Sequence, residues 1–241
     1  MKTLRILSLT LCLLAGSLVA CARTYLVSVG VSDYPGTSND LTLPANDAST
    51  IQYVYGKNSN VVSVLLTNSD ATKSTILSQM RSTFSKASAN DIIVFFFSGH
   101  GSRSGAFCAY DGNLSYSEIR KVMADSKATT KLIFADACHA GKMREGRSNN
   151  AQQAFSKYNI LLFLSSRGSE SSIERADMKN GFFTTALQNA LRGHADANSD
   201  RTITAKELFN YVSRKVKELS SDRQHPVMWG KFNDSMPVMK W

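Results

Sequence analysis

Ile92-Ile93-Val94-Phe95-Phe96-Phe97-Ser98-Gly99-His100-Gly101 decides the fold. Six consecutive apolar residues, β-branched or aromatic, end in a small polar residue and a Gly-His-Gly turn. A strand wetted on one face would alternate apolar and polar side chains. A continuous apolar run is what a strand covered on both faces requires. Further on, Lys131-Leu132-Ile133-Phe134-Ala135 leads into Asp136-Ala137-Cys138-His139-Ala140-Gly141 with the same logic. Similar runs at Tyr25 to Val31, Val61 to Leu66 and Ile160 to Leu164 read as further strands, and a weaker one runs from Val227 into Phe232.

Between these runs lie segments of helical period: Ala45 to Tyr55, Lys73 to Ala87, Tyr116 to Asp125, Phe183 to Leu191 and Ala205 to Leu219. Thr204 with Glu207 three residues on forms a capping box for the last, and Asp70 or Thr72 caps the second. Alternation of strands and helices predicts an α/β protein, a three-layer α/β/α sandwich with a mostly parallel sheet of roughly six strands. Gly141 to Ser156 is polar, with little apolar periodicity, and reads as an exposed loop.

The 241 residues suffice for one large domain, taken as 23–241. Residues 1–22 read as an export signal: Lys2 and Arg5, then an apolar stretch from Leu7 to Val19, then Ala20-Cys21-Ala22. Leu18-Val19-Ala20-Cys21 also resembles a bacterial lipobox, in which Cys21 would carry lipid and tether the protein to a membrane. The alternatives are a secreted or periplasmic protein and a lipid-anchored one. The net charge of +9 falls by two without Lys2 and Arg5. The remaining Lys and Arg residues are scattered without an aromatic-interleaved basic patch, which argues against a nucleic-acid partner.

Cys12 and Cys21 belong to the signal, which leaves Cys108 and Cys138. A disulfide between them would extinguish any nucleophile at 138. The competing reading is a thiol nucleophile. Ligands of open α/β sheets bind beyond the carboxyl ends of the strands, where His100 and Cys138 both fall. His100 is then the general base and Cys138 the nucleophile, and the N–H groups of Gly101 and Cys138 face the developing oxyanion. His139 is the weaker choice of base, because neighbouring residues point apart. Side-chain alternation puts Ser98 on the side of His100 and Asp136 on that of Cys138.

Ser98-Gly99-His100-Gly101 paired with Asp136-Ala137-Cys138-His139-Ala140-Gly141 resembles the caspase-like cysteine peptidases, in particular the metacaspase branch and its bacterial relatives. The resemblance runs from about Tyr25 to the C-terminus. It implies a caspase-hemoglobinase fold, a Cys138–His100 dyad that needs no cofactor, an oxyanion hole from the Gly101 and Cys138 amides, and a monomer. A caspase carries Gln two positions before the nucleophile; here Asp136 stands. Asn46-Asp47-Ala48 resembles the early metacaspase segment that supplies a second Asp, and Ser98 matches a pocket position. Asp47, Ser98 and Asp136 would thus line an acidic first pocket, and substrates would be proteins or peptides cut after Arg or Lys. Asp47 could instead serve the helix start, and Asp136 could instead orient His100. Lys142, Arg144 and Arg147, with Lys157 farther on, would then be places for self-cleavage. A non-enzymatic binding module, and a peptidase with another preference, are the alternatives.

Asp196, Asn198, Asp200, Thr202, Thr204 and Glu207 match the spacing of an EF-hand loop, but Arg201 stands where Gly is expected. Calcium is thus the one ion in question. The plainer reading is an Asx turn that caps the following helix. Metacaspases often take calcium at another acidic site, for which Asp111 and Glu145 are the only counterparts. Ser165 to Glu170 follows the next strand and lines the same rim, Asn180 to Thr184 resembles the family's entry into the following helix, and neither receives a chemical role.

Overall fold

The computed structural model describes residues 22–102, 105–137, 160–166, 177–230 and 232–240. Residues 1–21 of the expected export signal, Cys138, His139, Glu145 and the expected cleavage positions Lys142, Arg144, Arg147 and Lys157 lie outside them.

Six strands form the central sheet: β1 (Thr24–Gly30), β2 (Val61–Thr67), β3 (Ile92–Gly99), β7 (Thr130–Ala137), β8 (Ile160–Leu164) and β10 (Val227–Gly230). Their order is β10-β8-β7-β3-β1-β2, with only β10 antiparallel. The chain steps from β1 to the β2 edge, then returns past β1 to β3 and builds outward. Strand order therefore reverses between β1 and β3, which is where an open α/β sheet parts its connecting segments into a crevice.

Among the described residues five α-helices flank the sheet: α1 (Pro44–Gly56), α2 (Lys73–Phe84), α3 (Tyr116–Asp125), α4 (Phe182–Asn189) and α5 (Ala205–Leu219). The two faces of the sheet supply two cores. Leu26, Val94, Phe96, Leu132, Phe134, Leu161 and Phe163 pack against α1, α4 and α5. Val27, Val29, Phe95, Phe97, Ile133 and Leu162 pack against α2 and α3. Every residue of β3 is buried, as its unbroken apolar run requires. No helix among the described residues is long and apolar enough to cross a membrane.

The helix ends follow from their sequences. Pro44 opens α1, where its missing N–H costs nothing. The Thr72 side chain accepts the Thr75 N–H at the start of α2. Reciprocal boxes, Ser115 with Glu118 and Thr204 with Glu207, cap α3 and α5. Observed boundaries stay close to the expected ones, with two exceptions. The second helix stops at Phe84, not Ala87, and α4 gives way to a π turn at Ala190–His194 that contains Gly193 at φ 104°.

Two small sheets were not expected. β4 (Gly101–Ser102), β5 (Ala106–Ala109) and β6 (Gly112–Ser115) form an antiparallel ribbon, and β9 (Thr202–Thr204) pairs with β11 (Pro237–Lys240). The ribbon changes the reading of His100. β3 ends at Gly99, whose φ of 152° favours glycine, and β4 belongs to another sheet. Alternation along one strand therefore stops at Gly99. His100 lies between two strands, and its position comes from its contacts.

Candidate active site

Register brings the acidic residues together. Gly30, Ser98 and Asp136 are partners across β1, β3 and β7, so Ser98 and Asp136 stand side by side at the carboxyl rim. Both are buried, as is Asp47 one turn into α1. Gly30 lets α1 come this close: a Cβ there would sit 2.1 Å from the Pro44 carbonyl oxygen. The Ser98 hydroxyl donates to Asp47 Oδ2 at 2.8 Å. Asp47, Ser98 and Asp136 thus lie close together at the carboxyl rim.

The rest of the pocket comes from residues that sequence reasoning left without a role. Asp47 Oδ1 accepts the Asn180 amide at 2.9 Å and the Gly181 N–H at 3.0 Å. Asp136 Oδ2 accepts the Thr184 N–H at 3.2 Å and its hydroxyl at 3.0 Å. Thr50 adds its hydroxyl to Asn180, and the Asn46 amide donates to the Lys179 carbonyl. The entry into α4 therefore holds both carboxylates. A Cβ at Gly181 would lie 2.6 Å from Asp136 Oδ2 and 3.5 Å from Asp47 Oδ2, so glycine keeps clear the space between them.

Burial disfavours the charged form of Asp47, and the neighbouring Asp136 adds like-charge repulsion. Hydrogen bonds from Asn180, Ser98 and Gly181 pull the other way and are outweighed. Its carboxyl group is held well above the ordinary range. Such an arrangement gains most from a cation placed between the two acids.

His100 stands two residues beyond Ser98 and is held from three sides. Its N–H donates to Tyr34 Oη at 2.9 Å, and its carbonyl accepts the Cys108 N–H at 2.9 Å. Its ring lies 5.0 Å from the Tyr34 ring, centroid to centroid. Tyr34 in turn donates its hydroxyl proton to the Cys108 carbonyl at 3.2 Å. Burial pushes the Tyr34 phenol far up, so it stays protonated as that bond needs. The imidazole Nε2 lies 2.7 Å from the Asn39 carbonyl oxygen. A carbonyl only accepts, so Nε2 carries the hydrogen and Nδ1 presents its lone pair. The carbonyl comes from a short 3-10 turn, Thr37–Asn39, in the β1–α1 connection. Gly101 follows at once and pairs with Phe107.

Cys138 lies one residue past the end of β7. Cys108, the proposed disulfide partner, is a free thiol. It is half-buried, burial pushes its thiol up, and its sulfur lies 3.8 Å from Asn113 Oδ1.

The calcium candidates take the plainer of their two forms. Asp196 accepts the Asp200 and Arg201 N–H groups, Asn198 accepts from Asp200, and Asp200 accepts from Thr202. Glu207 accepts from Ala197 and Thr204. These oxygens serve the turn and the helix start. Arg201 adopts φ 64°, the left-handed geometry glycine would take more cheaply. Asp111 Oδ1 accepts the Lys73 N–H at 2.7 Å and so caps α2. Among the described residues no three acidic, His or Cys side chains gather into a metal-holding group.

The comparisons agree with this architecture. The family described as the caspase domain matches residues 23–236. Caspase-1 from Spodoptera frugiperda superposes with a TM-score of 0.63 at 17% identity, over 89% of this chain and 89% of that one. Protein GSU0716 from Geobacter sulfurreducens does so with a TM-score of 0.63 at 16% identity, over 87% of this chain and 93% of that one. No curated protein matches the sequence. At such identities the superpositions speak for the fold, while the domain match spans nearly the whole chain. The chain belongs to the caspase-domain family, whose members are cysteine peptidases.

Proposed function

We propose that this protein is an exported cysteine endopeptidase that cuts after Arg or Lys, with Cys138 as nucleophile and His100 as its base. The observation that carries the specificity is the buried pair of carboxylates, Asp47 on α1 and Asp136 near the end of β7, beside Ser98, which precedes His100 by two residues. Two acids that burial and mutual repulsion disfavour are best stabilised by a substrate cation between them. An anionic side chain would meet the same pair as repulsion.

The chemistry uses the tautomer described above. His100 Nδ1 takes the Cys138 thiol proton, and the sulfur attacks the scissile carbonyl. The Gly101 and Cys138 N–H groups receive the oxyanion. The protonated imidazole gives its proton to the departing amine, and water then hydrolyses the thioester. Asn39 keeps Nε2 protonated throughout, so Nδ1 is the nitrogen that cycles. No cofactor enters these steps. Cleavage within the loop at Lys142, Arg144 or Arg147 fits the same preference, and export follows from residues 1–22.

The test is hydrolysis of Arg-, Lys- and Asp-terminated reporter peptides by the wild-type protein and by Cys138→Ala. Turnover of the basic reporters alone, abolished in the variant, is expected. Turnover of the Asp reporter alone, or of none in protein whose loop has been cut, would overturn the proposal.

A further inference from the structure

At the far end of α1 from Asp47 is a second concavity, of about 640 Å³. It lies where three elements meet: the last turn of α1, the π turn after α4, and β11. Val54, Leu191 and Met239 are buried and give it an apolar wall. Tyr53, Lys57 and Arg192, with the polar Asn58 and Ser59, form the rest of its lining.

Several features set this place apart from ordinary surface. Tyr53 is 56% exposed and is the exposed large hydrophobic side chain among the described residues. The Lys57 ammonium sits 4.4 Å from its ring centroid. Neither Lys57 nor Arg192 has an acidic partner among the described residues, so two positive charges face one apolar recess. Lys57 and Arg192 together draw the Tyr53 phenol below its ordinary range. The chain bends at Gly193, φ 104°, just past α4, and the turn before that bend carries both Leu191 and Arg192 into the lining. The Asn58 amide donates to the Lys240 carbonyl at 2.9 Å, which fixes β11 to the end of α1 and closes the recess.

We infer that this recess is a binding site for a small aromatic carboxylate, its ring against Tyr53, Leu191 and Met239 and its anion between Lys57 and Arg192. The volume falls within the range of small-ligand pockets, about 300 to 1,000 Å³, and far exceeds what an inorganic ion fills. A neutral apolar ligand would leave two cations unanswered, and a bare anion would leave the apolar wall wet. The inference uses no residue of the peptidase site and stands or falls apart from it.

The test is calorimetric titration of the full chain with 3-phenylpropionate, beside its neutral amide and inorganic phosphate. Saturable binding of the acid is expected, about tenfold or more tighter than of either comparator. Lys57→Ala with Arg192→Ala should weaken it by about tenfold or more, and Tyr53→Ala should weaken it too. All three side chains are at the surface of the recess, so the fold should persist; a circular dichroism spectrum and melting curve check this. Methyl resonances of Leu191 and Met239 should shift on addition of the acid and not of phosphate. An acidic aromatic peptide with a blocked C-terminus is the second arm; if it binds and the free acid does not, the small-ligand assignment is wrong. Absence of saturation by about 10 mM acid, equal binding of the amide, or unchanged affinity in the double variant would each overturn the inference.

Discussion

The Asp47–Asp136 pair and the Asp196–Glu207 loop are both gatherings of acidic side chains, built in opposite ways. In the loop, donors are local backbone N–H groups within ten residues, the acids are exposed or only partly buried, and each oxygen stabilises the turn that carries it. In the pair, donors arrive from 48 to 134 residues away. The acids there are buried on elements that would fold without them. Local donors lower a carboxyl group's proton affinity. Burial beside another acid raises it. Glu207 accordingly sits below its ordinary range, because the Thr204 and Ala197 bonds outweigh its partial burial, while Asp47 sits well above. Spacing along the chain marked the loop, whereas the pair was marked by the separate local motifs around Asp47 and Asp136.

The largest test of this contrast is substitution. Asp136→Ala should reduce kcat/KM for an Arg reporter by about 100-fold or more, the scale of roughly 3 kcal/mol expected when one member of a buried charged group is removed. Asp196→Ala should leave it within about twofold, since exposed sites away from the chemistry act weakly. Equal losses from both, measured in the same assay, would erase the distinction.

Acidity separates the clusters next. Asp47 has a folded-state pKa above its unfolded value of about 4, so the folded protein holds the extra proton. Its contribution is complete below that value and is lost as pH rises toward the raised one. Glu207 has the opposite sign: its contribution is present above the unfolded value and is lost as pH falls through the lowered one. Asp47→Asn should therefore flatten the alkaline side of a stability–pH curve, and Glu207→Gln the acidic side, in melting curves across pH. A cationic reporter needs the ionised pair, so its KM should fall as pH rises through the Asp47 transition, with kcat much less affected.

Positioning comes third. Thr184→Val removes a hydroxyl from Asp136 Oδ2 but keeps the N–H. It should raise KM for the Arg reporter by about three- to tenfold, the net worth of a typical hydrogen bond, and leave kcat little changed. The smallest effect belongs to the loop. Thr204→Ala removes the α5 cap and should cost about 1 kcal/mol in denaturant unfolding, with unaltered turnover.

The six strands of the main sheet and the five helices were legible in sequence because long apolar runs and helical periods report burial directly. The β4–β6 ribbon was not. Its strands are two to four residues long and carry Gly101 and Gly112, too short and too Gly-rich for a period to register. The same limit shaped the site. Asp47, Ser98 and Asp136 were named from their motifs, whereas Asn180, Gly181 and Thr184 lie more than 40 residues from the acid each one holds. An Asn-Gly before a helix reads as a turn whatever it touches. Only the folded register shows that this turn faces two carboxylates.

The Asn39 carbonyl deserves a last thought as a matter of heredity. Every amino acid carries that oxygen, so no single codon change at position 39 can delete it. The imidazole's orientation is insured against the drift that erodes side-chain partners, and its weak point is the length of the segment between β1 and α1. Insertion or loss of one residue there would unseat the ring more surely than any replacement of Asn39 itself.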